Sequence, residues 1–183
     1  MFELTGGNVV VPEGKLVGGE FENVPVCTEA KETGCLIAYS SFLKEPPADT
    51  LFGRPSDSTL VKGPGLEVVC VNPAVETQNG AEGALLPYAP TKLFPGKEAE
   101  KDFGNPPTAP TPWVSSPGEY KAQCHKENGA SWLPINPAGP AVDPPRHVRE
   151  LIGAESGLHL FDVNIALGNL VNTVAIETKN YTR

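Results

Sequence analysis

Gly34-Cys35-Leu36-Ile37-Ala38-Tyr39-Ser40-Ser41-Phe42 is the strongest strand-forming stretch in the first half of the chain. Its nearly continuous apolar start lacks the in–out alternation of a half-exposed strand, so it reads as a strand buried inside a sheet. Pro46-Pro47 ends it, because proline has no N–H to add to a ladder. Leu66-Glu67-Val68-Val69-Cys70-Val71 is a second buried run, stopped by Asn72-Pro73. Upstream, Thr5-Gly6-Gly7-Asn8-Val9-Val10-Val11-Pro12 pairs two glycines with a short β-branched run. Gly14, Gly18 and Gly19 follow, so the chain to about residue 26 reads as turns around short extended pieces.

From Pro73 to Pro117 the sequence is loop-dominated, with prolines at 87, 90, 95, 106, 107, 110 and 112. Such a stretch within a domain reads as a lid, a binding loop or an insertion, pinned in places by Phe103 and Trp113. Tyr120 to Ile135 reads as a β-hairpin turning at Asn128-Gly129, a pair suited to a type I′ or bulged turn. Pro137, Pro140, Pro144 and Pro145 then interrupt regular structure again. The last element, from Asp162 to about Glu177, is the one long helix. Val163, Ala166, Leu167, Leu170, Val171 and Val174 are spaced to form a single apolar face. Asp162 is placed to cap its first turn. Gly168 costs about 1 kcal/mol against alanine there, which close packing would offset.

The composition fits a loop-rich folded domain. Of 183 residues, 20 are proline and 19 glycine, above the average of about 12% for the two together but short of the low-complexity range. The net charge is −8. No Lys/Arg stripe exists to follow a phosphate backbone, so nucleic acid is not an expected partner. No apolar run approaches the ~20 residues of a membrane-spanning helix, and Met1-Phe2-Glu3-Leu4 lacks the features of a signal peptide.

Four cysteines, an even number, suggest two bridges. Cys27 and Cys35 flank a short polar turn that a local disulfide could close. A Cys70–Cys124 bridge would tie the second buried run to the hairpin across a proline-rich loop. Buried thiols and a zinc site at Cys124-His125 are the alternatives. The zinc reading is weakened because no C-x2-4-C pair exists and neighbours in a strand face opposite ways. Disulfides imply export, to the cell envelope or beyond, with a signal peptide upstream of residue 1. The chain is then expected to be truncated at its N-terminus.

Motifs that carry chemistry are sparse. There is no G-x-S-x-G nucleophile elbow; Gly129-Ala130-Ser131-Trp132-Leu133 lacks its last glycine and lies in the hairpin. P-loop, dinucleotide and H-E-x-x-H motifs are also missing, so no cofactor or metal is implied. Of three histidines, His125 and His147 sit among polar residues and read as surface positions. His159 lies in Gly157-Leu158-His159-Leu160-Phe161-Asp162, just before the helix, where it reads either as a cap or as a general base.

Gly6-Gly7-Asn8-Val9, the stretch from Cys27 through Phe42, Val69-Cys70-Val71-Asn72-Pro73 and Gly157 through Asn164 occur in order over nearly the whole chain. Together they resemble a bacterial family of α/β-hydrolase-like proteins, a domain of unknown function whose members are often exported. The resemblance implies an α/β fold, of which these residues form the C-terminal part: the last sheet strands, a lid-like insertion at 73–117, the hairpin and the terminal helix. It also implies a serine hydrolase acting on a small-molecule ester or related acyl bond, with the triad ordered serine, acid, histidine. The nucleophile and the central strands would then belong to the missing N-terminal half of the same protein, the partner this chain would need. Without it, a sheet edge and apolar surface would lie open, favouring marginal stability or association. His159 maps onto the catalytic histidine. Asp143 is the first choice for the acid, Asp49 the alternative, and Asp162 a helix cap. A secreted binding or structural module is the competing expectation.

Overall fold

The structure, a computed structural model, describes residues 2–56, 59–75, 82–90, 109–115, 117–139, 148, 150 and 152–181. The opening stretch is its hub. All four residues of β3 (Leu36–Tyr39) are buried, and the strand breaks at Ser40 before a short continuation, β4 (Ser41–Phe42). The break lets the two halves serve different neighbours. β3 runs parallel to β1 (Phe2–Thr5), whereas β4 runs parallel to β11 (Ala130–Pro137). Further backbone bonds extend the hub: the Val71 amide donates to the Ala38 carbonyl, Leu133 to Ser40 and Leu158 to Ser41.

The remaining pairings are antiparallel. β2 (Val10–Pro12) pairs with β5 (Leu66–Val68), and β7 (Tyr88–Pro90) with β8 (Trp113–Ser115). β6 (Gly83–Ala84), β9 (Tyr120–Ala122), β11 and β10 (His125–Glu127) lie side by side in that order, with β4 attached to β11. A 3-10 turn, His159–Phe161, runs directly into α1 (Asp162–Tyr181). The main core gathers β3, Val69–Val71, Leu85, Leu133, Ile135 and the inner side of the terminal helix.

This layout overturns the expected α/β-hydrolase-like fold. That fold needs a broad parallel sheet whose strands are joined by crossover helices. Here the strands fall into several small sheets, just two strand pairings among the described residues are parallel, and α1 is the one α-helix among them. The physical reason is visible in the sequence. Prolines and glycines cut the extended runs so often that β11, with eight residues, is the one strand longer than four among the described residues.

The structure also refines local expectations. The hairpin is smaller than 120–135: β10 and β11 flank the Asn128-Gly129 turn, with φ of 48° and 76° as a type I′ turn requires. The chain bends before β10, so β9 pairs separately with the far end of β11, Ala122 opposite Ile135. Within 73–117, expected to be loop-dominated, the described residues include three short strands, β6, β7 and β8. Trp113 is exposed in β8, and Phe103 falls outside the described residues.

The helix also turns a different side inward. Ile165, Ala166 and Leu170 are buried, but so are Asn169, Thr173 and Glu177, while Val163, Val171 and Val174 are exposed. Hydrogen bonding explains the rotation. The Asn169 side chain accepts from the Leu86 amide at 2.7 Å and donates to the Ala84 carbonyl at 3.2 Å, and Asn164 donates to the Tyr88 carbonyl. These amides serve a strand segment whose backbone would otherwise go unsatisfied, and a buried unmet polar group costs more than an exposed valine. Gly168 makes the approach possible: a Cβ there would lie 2.6 Å from Cβ of Leu86. Leu170→Ala should therefore lose about 2–5 kcal/mol by cavity formation. Val171→Ala should stay within about 0.5 kcal/mol. Urea unfolding of the two variants reads the difference, and equal losses would contradict this orientation.

Both cysteine pairings suggested by spacing are formed, Cys27–Cys35 and Cys70–Cys124. Glu32 caps the smaller loop, its carboxylate accepting from the Thr28 amide and hydroxyl; the amide bond in particular holds the carboxyl below its usual range. No helix among the described residues is long and apolar enough to cross a membrane.

Candidate acid–base site

The site is built where the end of β3–β4 meets the start of the terminal helix. Gly157 has φ of +55°, and a Cβ there would lie 2.5 Å from the Phe42 ring and 2.7 Å from the Ser41 carbonyl. Only glycine permits that approach. It brings the Leu158 amide to 2.8 Å from the Ser41 carbonyl and so pins the 3-10 turn to β4. His159 and Asp162 then follow, three residues apart across one turn, with their side chains together.

Asp162 is almost fully buried, at 2% exposure. Its Oδ1 accepts two hydrogen bonds from Ser41, one from the amide at 2.8 Å and one from the hydroxyl. Its backbone carbonyl accepts from the Tyr39 hydroxyl at 2.7 Å. Burial pushes the Tyr39 phenol well above its usual range, reinforced by Asp162 and Glu3, so it stays a neutral donor. Asp162 is also the first residue of α1, where the helix dipole favours negative charge. Its second oxygen, Oδ2, lies 3.4 Å from Nδ1 of His159.

His159 is framed on three sides. Phe52 stacks on the imidazole, ring centroids 4.1 Å apart and 14° from parallel. At Gly6, with φ of +72°, a Cβ would lie 2.5 Å from Nδ1 and 2.6 Å from Oδ2 of Asp162. Bare backbone is therefore what fits against the pair. Nδ1 is buried, yet the side chain as a whole is 37% exposed. The Asp162 carboxylate raises the His159 pKa above its ordinary value, partly opposed by burial and aided by the Gly6 backbone.

Phe52 is held in place by Asn8. The Asn8 side chain donates to the carbonyls of Leu51 at 2.6 Å and Arg54 at 3.1 Å, and accepts from the Gly53 amide at 2.7 Å. This bridges the first glycine-rich turn to the loop that carries the stacking ring. Thr50 and the Leu51 amide bond to the Glu155 carbonyl, tying the same loop to the segment before His159.

The sequence-derived candidates fare unequally. His159 sits in a built environment. Asp143 lies outside the described residues, as does His147. Asp49 is on an exposed turn and lines a surface hollow with Thr50, Ser56, Thr59 and Lys62; it forms no ion pair with His159. The carboxylate beside the histidine is Asp162, expected only to cap the helix. His125 is exposed as expected, beside Glu127 at 3.2 Å and edge-on to Trp132. Ser131 lies in β11, paired to Lys126.

Ser41, Phe52, Asn8 and Gly6 were not legible as site residues, since they come from three separate segments. The His-x-x-Asp spacing was the available signal for Asp162, because i and i+3 share a face in a helical turn. The one candidate metal cluster among the described residues is Cys27, Glu32 and Cys35, but both sulfurs are bonded to each other. Cys124, the zinc alternative, is likewise bonded to Cys70.

Chemically, the arrangement sets one buried imidazole nitrogen 3.4 Å from a buried carboxylate oxygen, neither atom having a hydrogen-bond partner among the described residues, in a side chain 37% open to solvent. A carboxylate at Nδ1 favours the neutral tautomer with its proton there, which leaves Nε2 as the base. Compared with family models, curated proteins and solved structures, the chain matches none of them.

Proposed function

We propose that His159 is the general base and acid of a hydrolytic site acting on esters or related acyl bonds, with Asp162 as the carboxylate that orients it. The observation that carries this reading is the pairing of a buried carboxylate, two of whose hydrogen bonds converge on one oxygen, with a partly exposed histidine at the other. In hydrolysis, Nε2 takes the proton of the attacking oxygen and returns it to the departing alkoxide, while Asp162 stabilises the transient imidazolium. Ser41 is not the attacking group: it is 1% exposed and donates its hydroxyl to Asp162. The two disulfides favour an oxidising setting, secreted or at the cell envelope.

Hydrolysis of p-nitrophenyl acetate by the purified chain tests this. The rate should rise as His159 loses its proton. His159→Ala should reduce it by about 10²–10⁴-fold, the usual contribution of a positioned base. An unchanged rate in a folded variant would reject the assignment. Fluorophosphonate labelling in parallel reports whether a serine takes part.

The second reading, a secreted binding module, is favoured by the exposed side chains of Val163, Val171 and Val174 on α1. Between Val163 and Ile176 the helix carries no charged residue, unusual for a solvated face. Folded protein without any His159-dependent hydrolysis would favour that reading.

A further inference from the structure

Ser41 is conspicuous as a buried serine with no exposed surface to serve and a hydroxyl given wholly to one carboxylate oxygen. The Asp162 carboxylate could rotate about its last side-chain bond, presenting either oxygen, or neither, to the imidazole. Two donors on Oδ1, converging from the amide and the hydroxyl of one residue, remove that freedom. The amide is itself fixed, because Ser41 sits in β4 and pairs with Leu133 of β11. The Ser41 carbonyl also accepts the Leu158 amide, so one residue holds both ends of the segment that bears His159. Tyr39, from the adjoining strand, secures the Asp162 backbone rather than its carboxylate.

We propose that Ser41 is a positioning residue, which locks the Asp162 carboxylate through Oδ1 so that Oδ2 alone faces Nδ1 of His159. This inference rests on the acid–base reading of the pair, but it concerns geometry that exists whether or not hydrolysis occurs. Each side-chain hydrogen bond to a charged acceptor is stronger than a neutral one, and losing one loosens the acceptor without emptying the site. The ionisable groups of the pair are Asp162 and His159 themselves; Tyr39 from β3 bonds the Asp162 backbone and in turn feels Glu3 from β1. Ser41→Ala removes the hydroxyl alone and leaves the amide bond, Tyr39 and Glu3 in place.

The test is an NMR titration of the His159 ring in the full chain, with p-nitrophenyl acetate hydrolysis measured alongside. Ser41→Ala leaves the Asp162 charge in place but frees its carboxylate to turn, so it should shift the His159 midpoint by less than Asp162→Asn, which removes the charge. Ser41→Thr, which keeps a hydroxyl, should restore it. Hydrolysis should fall through kcat with KM little changed. A midpoint unmoved in Ser41→Ala, while Asp162→Asn shifts it, overturns the proposal. Should Ser41→Ala fail to fold, the unmodified protein decides: the Ser41 amide proton shift must inflect at the His159 midpoint, and a flat profile overturns it. Shifted midpoints without any hydrolysis would leave Ser41 as the positioning residue and defeat the hydrolase reading instead.

Discussion

Replacing Cys70 and Cys124 together by alanine is expected to lower the stability of this protein by about 4 kcal/mol, against about 2.5 kcal/mol for Cys27 and Cys35. The difference follows from the chain each bridge closes, 54 residues apart for one and 8 for the other. A longer loop forfeits more conformations when it is cross-linked in the unfolded state. The larger bridge also joins the buried run ending at Val71 to the bend between β9 and β10, two pieces that otherwise lie in different small sheets. Domains of this size have about 5–15 kcal/mol in total, so the loss would remove a large fraction. Guanidinium unfolding with and without reductant, and of each double variant, measures both. Equal losses from the two bridges would show that loop closure is not what they contribute.

Asp162→Asn carries the second large effect, and its sign depends on pH. The His159 pKa is raised in the folded protein, chiefly by Asp162. The pair therefore stabilises the fold fully below the unfolded histidine value of about 6.5. That contribution is lost as pH rises through the higher folded value. In the asparagine variant the window should flatten: the variant is weaker than the parent at mildly acidic pH and closer to it at alkaline pH. The difference should be about 1 kcal/mol or less, because a side chain 37% open to solvent is screened. Hydrolysis should suffer more, by about 10²–10⁴-fold, since an amide at Nδ1 can hold the wrong tautomer. Thermal melts across pH 5 to 9 check the first effect and kinetics the second. A stability difference that grows toward alkaline pH would contradict the pairing.

Local signals in this sequence were strong where chemistry is local. The buried stretch from Leu36, the Asn128-Gly129 turn, the run of prolines and the terminal helix each follow from backbone preferences of the residues that make them. The cysteine pairings were readable for a related reason: four sulfurs, one short polar loop and two strand-like runs leave a natural way to bridge them. The resemblance to an α/β-hydrolase family misjudged the architecture. Strands of two to four residues, interrupted by proline and glycine, close into several small sheets rather than one parallel sheet.

The candidate site divides along the same line. His159 was legible because it stands just before a recognisable helix, whereas Asp162 was legible as the cap of that helix and not as the carboxylate beside the histidine. What the sequence by itself determined is thus the buried stretch from Leu36, the Asn128-Gly129 turn, the cysteine pairings and the terminal helix, but not β6, β7 and β8. Tertiary structure alone decided which side of α1 turns inward, since Asn164 and Asn169 answer backbone groups more than 70 residues away. It alone decided that Ser41, Phe52 and Gly6 surround the histidine, and that Asp162 rather than Asp49 stands beside it. Hydrogen-bond satisfaction in a buried space depends on partners distant in sequence, and no periodicity along the chain records them.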